Sequence, residues 1–146
     1  MAQDLFEEMG PVDYVVIEWP GRQPTGEVAP MIAGLADRGV IRILDVAFLV
    51  KDVDGEIATV EAGVFAEDGS FADFAGAESG LIGRDDLEQA AAALKPGTSA
   101  AVLIWENRWA APVATALRRT GAELVASGRI SVQDLAASLD AAEAVH

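Results

Sequence analysis

The sequence predicts an α/β chain of the α+β sandwich kind: a mainly antiparallel sheet in a ferredoxin-like βαββαβ core, extended by extra C-terminal helices. Three observations predict it. Short β-branched and aromatic runs alternate with stretches of helical spacing in the order β-α-β-β-α-β. The pair Asp54-Gly55 between the second and third strands is a tight-turn signal that makes them a hairpin. The strands are apolar on successive residues, so both faces of the sheet require burial.

Residues 1–12 read as a loosely held arm, and residues 13–146 as a single α/β domain. Tyr14 to Trp19 is the first strand, ended by Pro20-Gly21. A turn-rich segment, Pro20 to Thr25, leads to a helix marked by Val28, Met31, Ile32 and Leu35, with Pro30 in its first turn and Gly39 as its stop. Ile41 to Val50 is a long apolar strand, and Glu56 to Ala62 returns beside it. Residues 63–80, with four glycines and Phe65, Phe71 and Phe74, read as a long loop. Arg84 to Leu94 is an Ala-rich helix closed by Lys95-Pro96-Gly97, and Ser99 to Glu106 the fourth strand. Trp109 to Thr120 reads as a helix, Glu123 to Ile130 as a short strand, and Ser131 with Asp134 as the capping box of a last helix reaching about Ala144.

Composition removes several classes of chemistry. Cysteine is absent, which excludes disulfides, thiolate nucleophiles and cysteine-ligated zinc. The one histidine is His146, at the very end, so neither a histidine base nor a multi-histidine metal centre is expected. No metal, no cofactor and no catalytic residue is assigned. The formal net charge of −14, with Lys51 and Lys95 the only lysines, argues against nucleic acid and anionic membranes as partners. Arg118, Arg119 and Arg129 suit helix-end solvation better than a basic patch. There is no apolar run long enough to span a bilayer, and the acidic start MAQDLFEEMG lacks the features of a signal peptide, so a cytoplasmic location is expected.

The two-faced strands say most. Val15, Ile17 and Trp19 alternate with Tyr14 and Val16; Leu44, Val46, Phe48 and Val50 alternate with Ile41, Ile43, Ala47 and Leu49 around Asp45; Ala101, Leu103 and Trp105 alternate with Ala100, Val102 and Ile104. In the ferredoxin-like plan two helices cover one face. Leaving the other in water would cost several kcal/mol at about 25 cal/mol per Å2. Either the C-terminal helices or another copy of the chain must cover it.

Candidate binding residues follow from local groupings. Pro20 to Gly26, with Arg22, joins a strand to a helix and could hold an anion, but it lacks a Walker ending and reads as a plain turn. Asp52-Val53-Asp54-Gly55-Glu56 is only part of a calcium loop, and the hairpin accounts for it. Trp105, Glu106, Arg108 and Trp109 end a strand and enter a helix, a grouping suited to a ligand or a partner. Asp45 interrupts an apolar strand and needs a partner, for which Arg42 and Arg108 are candidates. Glu18 and Glu106 belong at opposite ends of antiparallel neighbours, which argues against a carboxylate pair. Tyr14 and Trp19 lie on the first strand, and Phe71 and Phe74 suit a lid, an interface arm or core packing.

The ordered motifs Trp19-Pro20-Gly21, Thr25 to Pro30, Gly39 to Asp45, Lys51 to Gly55, Pro96 to Ala100, Trp105 to Trp109 and Gly121 to Ala126 resemble small acidic actinobacterial proteins grouped as a domain of unknown function. The resemblance covers nearly the whole chain. It implies a one-domain bacterial cytosolic protein and carries no reaction, cofactor or catalytic residue with it. The functional expectation is a self-associating interaction or regulatory module without catalytic activity, forming a homo-oligomer. Its rivals are a small-ligand binder or enzyme of the dimeric α/β-barrel type with the sheet face as pocket, and a carboxylate site for a divalent metal.

Overall fold

The computed structural model describes residues 8–21, 24, 26–66, 68–122, 125 and 127–145. Within them, β1 (Val12–Pro20), β2 (Ile41–Lys51), β3 (Ile57–Val60) and β4 (Thr98–Asn107) form one sheet in the order β1-β4-β2-β3, every pair antiparallel. The α+β class, the antiparallel sheet and the β2–β3 hairpin are as expected. The ferredoxin-like strand order is not: that plan places β1 and β3 inside with β4 and β2 at the edges, whereas here β4 and β2 are inside and β1 and β3 at the edges. Charge explains the exchange. Between Thr98 and Trp105 β4 carries no charge, and Thr98 to Leu103 are all buried, which demands neighbours on both sides. With Asp13 and Glu18, β1 is better placed at an edge.

The helices α1 (Val28–Asp37), α2 (Ala62–Phe65) and α3 (Arg84–Ala93) cover both faces. On one face α1, α2 and a 3₁₀ turn, Ala72–Ala77, bury Ile41, Val46, Phe48, Ala101 and Leu103. On the other, Ala90 and Ala91 of α3 close over Leu49 and Val102, with Val16, Ala47, Ile82 and Leu87 around them. Both faces therefore find partners in this chain. The cover expected from C-terminal helices or a second copy is supplied instead by α3, the second helix of the βαββαβ order, which lies opposite α1.

A bulge at Leu44 corrects the facing of β2. The register with β4 passes from Ile43–Trp105 to Asp45–Ile104, skipping Leu44. Ile41 and Ile43 thereby join Val46 and Phe48 on one face rather than opposing them. The expected loop over 63–80 holds α2 and the 3₁₀ turn, and Phe65, Phe71 and Phe74 are core residues. Gly55 takes φ of 90°, the conformation the hairpin turn requires of its glycine. Lys51 Nζ donates to the carbonyls of Ala91 and Leu94, each at 3.0 Å, and so satisfies the end of α3.

The chain divides into two units, Met1–Ala116 and Leu117–His146. Helix α4 (Ala111–Arg119) follows a 3₁₀ turn, Arg108–Ala110, and runs into the second unit. Helix α5 (Val132–Val145) starts as expected: the Asp134 N–H donates to Ser131 Oγ at 3.1 Å. Of the short strand expected over Glu123 to Ile130, residues 123, 124 and 126 lie outside the described residues, and 127–130 are irregular. Among the described residues no helix is long and apolar enough to cross a membrane.

Candidate functional site

Strand alternation separates the residues that the sequence groups together. Trp105 lies on the face of β4 that packs with α1, Glu106 on the opposite one, and Trp109 is 67% exposed beyond the strand. Arg108 is exposed as well. A groove beside β2 takes Asp45 into its lining without Tyr14, Trp105 or Arg108. Trp19 packs edge-on against Phe65 and Phe71, with ring centroids 5.7 and 5.9 Å away, and Phe71 sits 5.7 Å from Phe74. Phe65, Phe71 and Phe74 are core, and the part-buried Trp19 packs against them. Arg22 lies outside the described residues.

The acids are committed to the backbone. Asp45 is buried, and its carboxylate accepts the N–H groups of Val46 (2.9 Å), Ser79 (2.8 Å) and Ile82 (2.6 Å). Burial pushes its pKa up, but the N–H donors of Ser79, Ile82, Val46 and Gly80 outweigh burial and hold it below the ordinary value. Its partners are backbone groups, in place of the Arg42 or Arg108 expected. Ser79 Oγ also donates to the Leu44 carbonyl at 2.5 Å. Together Asp45 and Ser79 seal the stretch of β2 edge that the four-residue β3 leaves uncovered.

Glu106 anchors the segment that leads into β1. Its Oε2 accepts the Gly10 N–H at 2.9 Å, and its Oε1 lies 3.0 Å from Arg42 Nε, close but not aligned as a hydrogen bond. Asn107 donates from its backbone to the Pro11 carbonyl (2.7 Å) and from Nδ2 to Asp13 Oδ2 (2.9 Å). Residues 10–13 are thus tied to the end of β4, not loosely held. A Cβ on Gly10 would stand 2.2 Å from the Asn107 carbonyl oxygen. Gly10→Ala is therefore expected to detach this segment and cost about 1–3 kcal/mol, read as a fall in urea midpoint at unchanged slope. Gly10 went unassigned at the level of sequence, and Arg42 was expected beside Asp45 where it stands beside Glu106; a strand-end acid needing a partner was the available signal.

Glu18 and Glu106 stand opposite Ala100 and Val12, at the two ends of the β1–β4 pair, as expected. The Tyr14 hydroxyl, on a half-exposed side chain, donates to the Asp86 carbonyl at 3.4 Å. Burial, then the Asp86 charge, raise its pKa. Asp52, Asp54 and Glu56 bring carboxylate oxygens within 4.8 Å of one another at the hairpin tip. The turn explains this grouping: Asp54 accepts the Glu56 N–H, and the Asp52 N–H donates to the Glu56 carbonyl. The groove beside β2, of about 460 Å3, is lined by Asp45, Ala47, Val60, Glu61, Glu78 and Ile82 among others.

These features define an α+β protein whose antiparallel sheet is sealed on both faces by its own helices and whose buried acids hold backbone. The chain belongs to the Family of unknown function (DUF6325), which matches residues 8–145. No curated protein and no solved structure matches it.

Proposed function

We propose that this protein is an interaction module that works by self-association and carries out no catalysis. The observation that supports this reading is apolar surface without cover in the second unit. Along α5, Val132, Leu135 and Leu139 recur at helical spacing and are 80%, 51% and 57% exposed. Among the described residues of Leu117–His146 nothing packs over them. A helix of 14 residues is marginal in water by itself and gains its stability from burying such a stripe. Asp134, Asp140 and Glu143 keep the rest of α5 polar, so the stripe is the surface this helix has to bury.

The test is mass in solution over a dilution series, followed together with helical circular dichroism. A mass above one chain at micromolar concentration, falling on dilution with some loss of helix signal, is the expected result. A one-chain mass throughout, with unchanged helix content, contradicts the reading.

A second reading, a small-ligand binder, is favoured by the groove beside β2, whose lining mixes apolar side chains with Asp45, Glu61 and Glu78. It makes a cationic, partly apolar ligand the class to screen by thermal shift.

A further inference from the structure

We infer that two copies of this chain join through the free edge of β1, pairing antiparallel about a two-fold axis into one continuous eight-stranded sheet. This rests on the self-association proposed above and adds the contact that holds the pair together; the cover of α5 accompanies that contact and does not sustain it.

The register fixes which groups are free. Asn107 N–H donates to the Pro11 carbonyl, and Gly21 N–H donates to the Gly97 carbonyl. In an antiparallel pair, bonded and non-bonded positions alternate, so the odd-numbered residues of β1 bond to β4. Val12, Tyr14, Val16 and Glu18 therefore direct their N–H and C=O groups away from the sheet. None of these backbone groups has a partner among the described residues.

The edge is also unguarded. Exposed strand edges are normally blunted by shortness, bulges, lysines, prolines or outward charges. β1 is nine residues long, pairs with β4 without a bulge, and has no lysine and no proline before Pro20. Its two charges are drawn toward its own sheet. Glu18 Oε2 accepts the Lys95 N–H at 2.7 Å and the Thr98 hydroxyl at 3.4 Å, and Asp13 accepts from Asn107. The opposite edge differs: β3 has four residues and is flanked by the exposed Glu56 and Glu61.

A second copy fits this edge better than an unrelated strand, because antiparallel pairing about a two-fold is self-complementary. With Val15 on the axis, Val12, Tyr14, Val16 and Glu18 of one copy oppose Glu18, Val16, Tyr14 and Val12 of the other. Every outward group is then used, the half-exposed Tyr14 lies beside Val16, and the two Glu18 carboxylates stay at opposite ends. Other two-fold registers leave at least one outward residue without its opposite.

The experiment is light scattering coupled to size exclusion on the full chain and three full-length variants. Val16→Pro removes an outward N–H and leaves the β4 ladder of Val15 and Ile17 intact. Tyr14→Lys places a guard on the edge without touching the ladder, which keeps the test decisive if the proline variant fails to fold. Leu135→Glu/Leu139→Glu alters α5 alone. The expected result is a two-chain mass for the wild type and the α5 variant, and a one-chain mass for Val16→Pro and Tyr14→Lys. A two-chain mass in both β1 variants with a one-chain mass in the α5 variant overturns the β1 interface and leaves self-association standing. A one-chain wild type overturns both.

Discussion

Replacing Asp45 by alanine is expected to destabilise the fold by about 2–4 kcal/mol, the loss of several hydrogen bonds from backbone N–H groups to a charged acceptor. The carboxylate holds three backbone N–H groups: one at the bulge in β2, the others 34 and 37 residues further along the chain. Alanine leaves the buried N–H of Val46 and the part-buried ones of Ser79 and Ile82 without their acceptor. The loop from Ser79 to Ile82 then loses its tie to the sheet, and with it the entry to α3, the cover of one sheet face. Asp45→Asn retains the shape and one acceptor, so about half that loss is expected. The pH dependence has a definite sign. The folded-state pKa of Asp45 lies below its ordinary 3.8. Its contribution is complete above that ordinary value and disappears as pH falls toward and through the lower folded one. Urea unfolding at neutral pH and near pH 3 checks this: the gap between wild type and Asp45→Asn should narrow in acid. An equal gap at both pH values would contradict the assignment.

Phe71→Ala is expected to cost about 3–5 kcal/mol, through an aromatic cavity. The Phe71 ring lies 5.3 to 5.9 Å from the rings of Trp19, Phe48, Phe65 and Phe74, and these come from β1, β2, α2 and the 3₁₀ turn. Its side chain is thus the joint of one whole face. Phe71→Leu, which refills most of the volume, should cost about 1–2 kcal/mol. Thermal unfolding of the two variants separates a packing role from a lid: a lid residue would leave the midpoint of both near that of the wild type.

How far the sequence could be read depended on the range of the interactions. Local features were legible. The Asp54-Gly55 hairpin, the stop of α1 at Gly39, the span of α3 and the Ser131–Asp134 cap are set by residues within a turn of one another. The apolar character of both sheet faces was legible too, since period-2 alternation fails visibly in β2 and β4. Which element covers each face was not. That depends on β4 entering between β1 and β2, a pairing between distant residues that charge distribution explains once it is seen. The bulge at Leu44 has no compositional mark, and missing it turned Ile41 and Ile43 to the wrong face. Phe71 and Phe74 were recognised as apolar, but α2 and the 3₁₀ turn are too short and too glycine-broken to announce themselves. Among the candidate site residues, the need of Asp45 for a partner was plain from its apolar neighbours. The partners themselves were not, because backbone N–H groups leave no sign in a sequence.

Residue-by-residue amide hydrogen exchange along β1 tests the central claim most directly, measured at concentrations on either side of the association midpoint. The amides of Asp13, Val15, Ile17 and Trp19 face β4 and should be protected at both. Those of Val12, Tyr14, Val16 and Glu18 should exchange freely in the dilute sample and become protected in the concentrated one. Free exchange at those four positions in a sample whose mass is that of two chains would contradict the account.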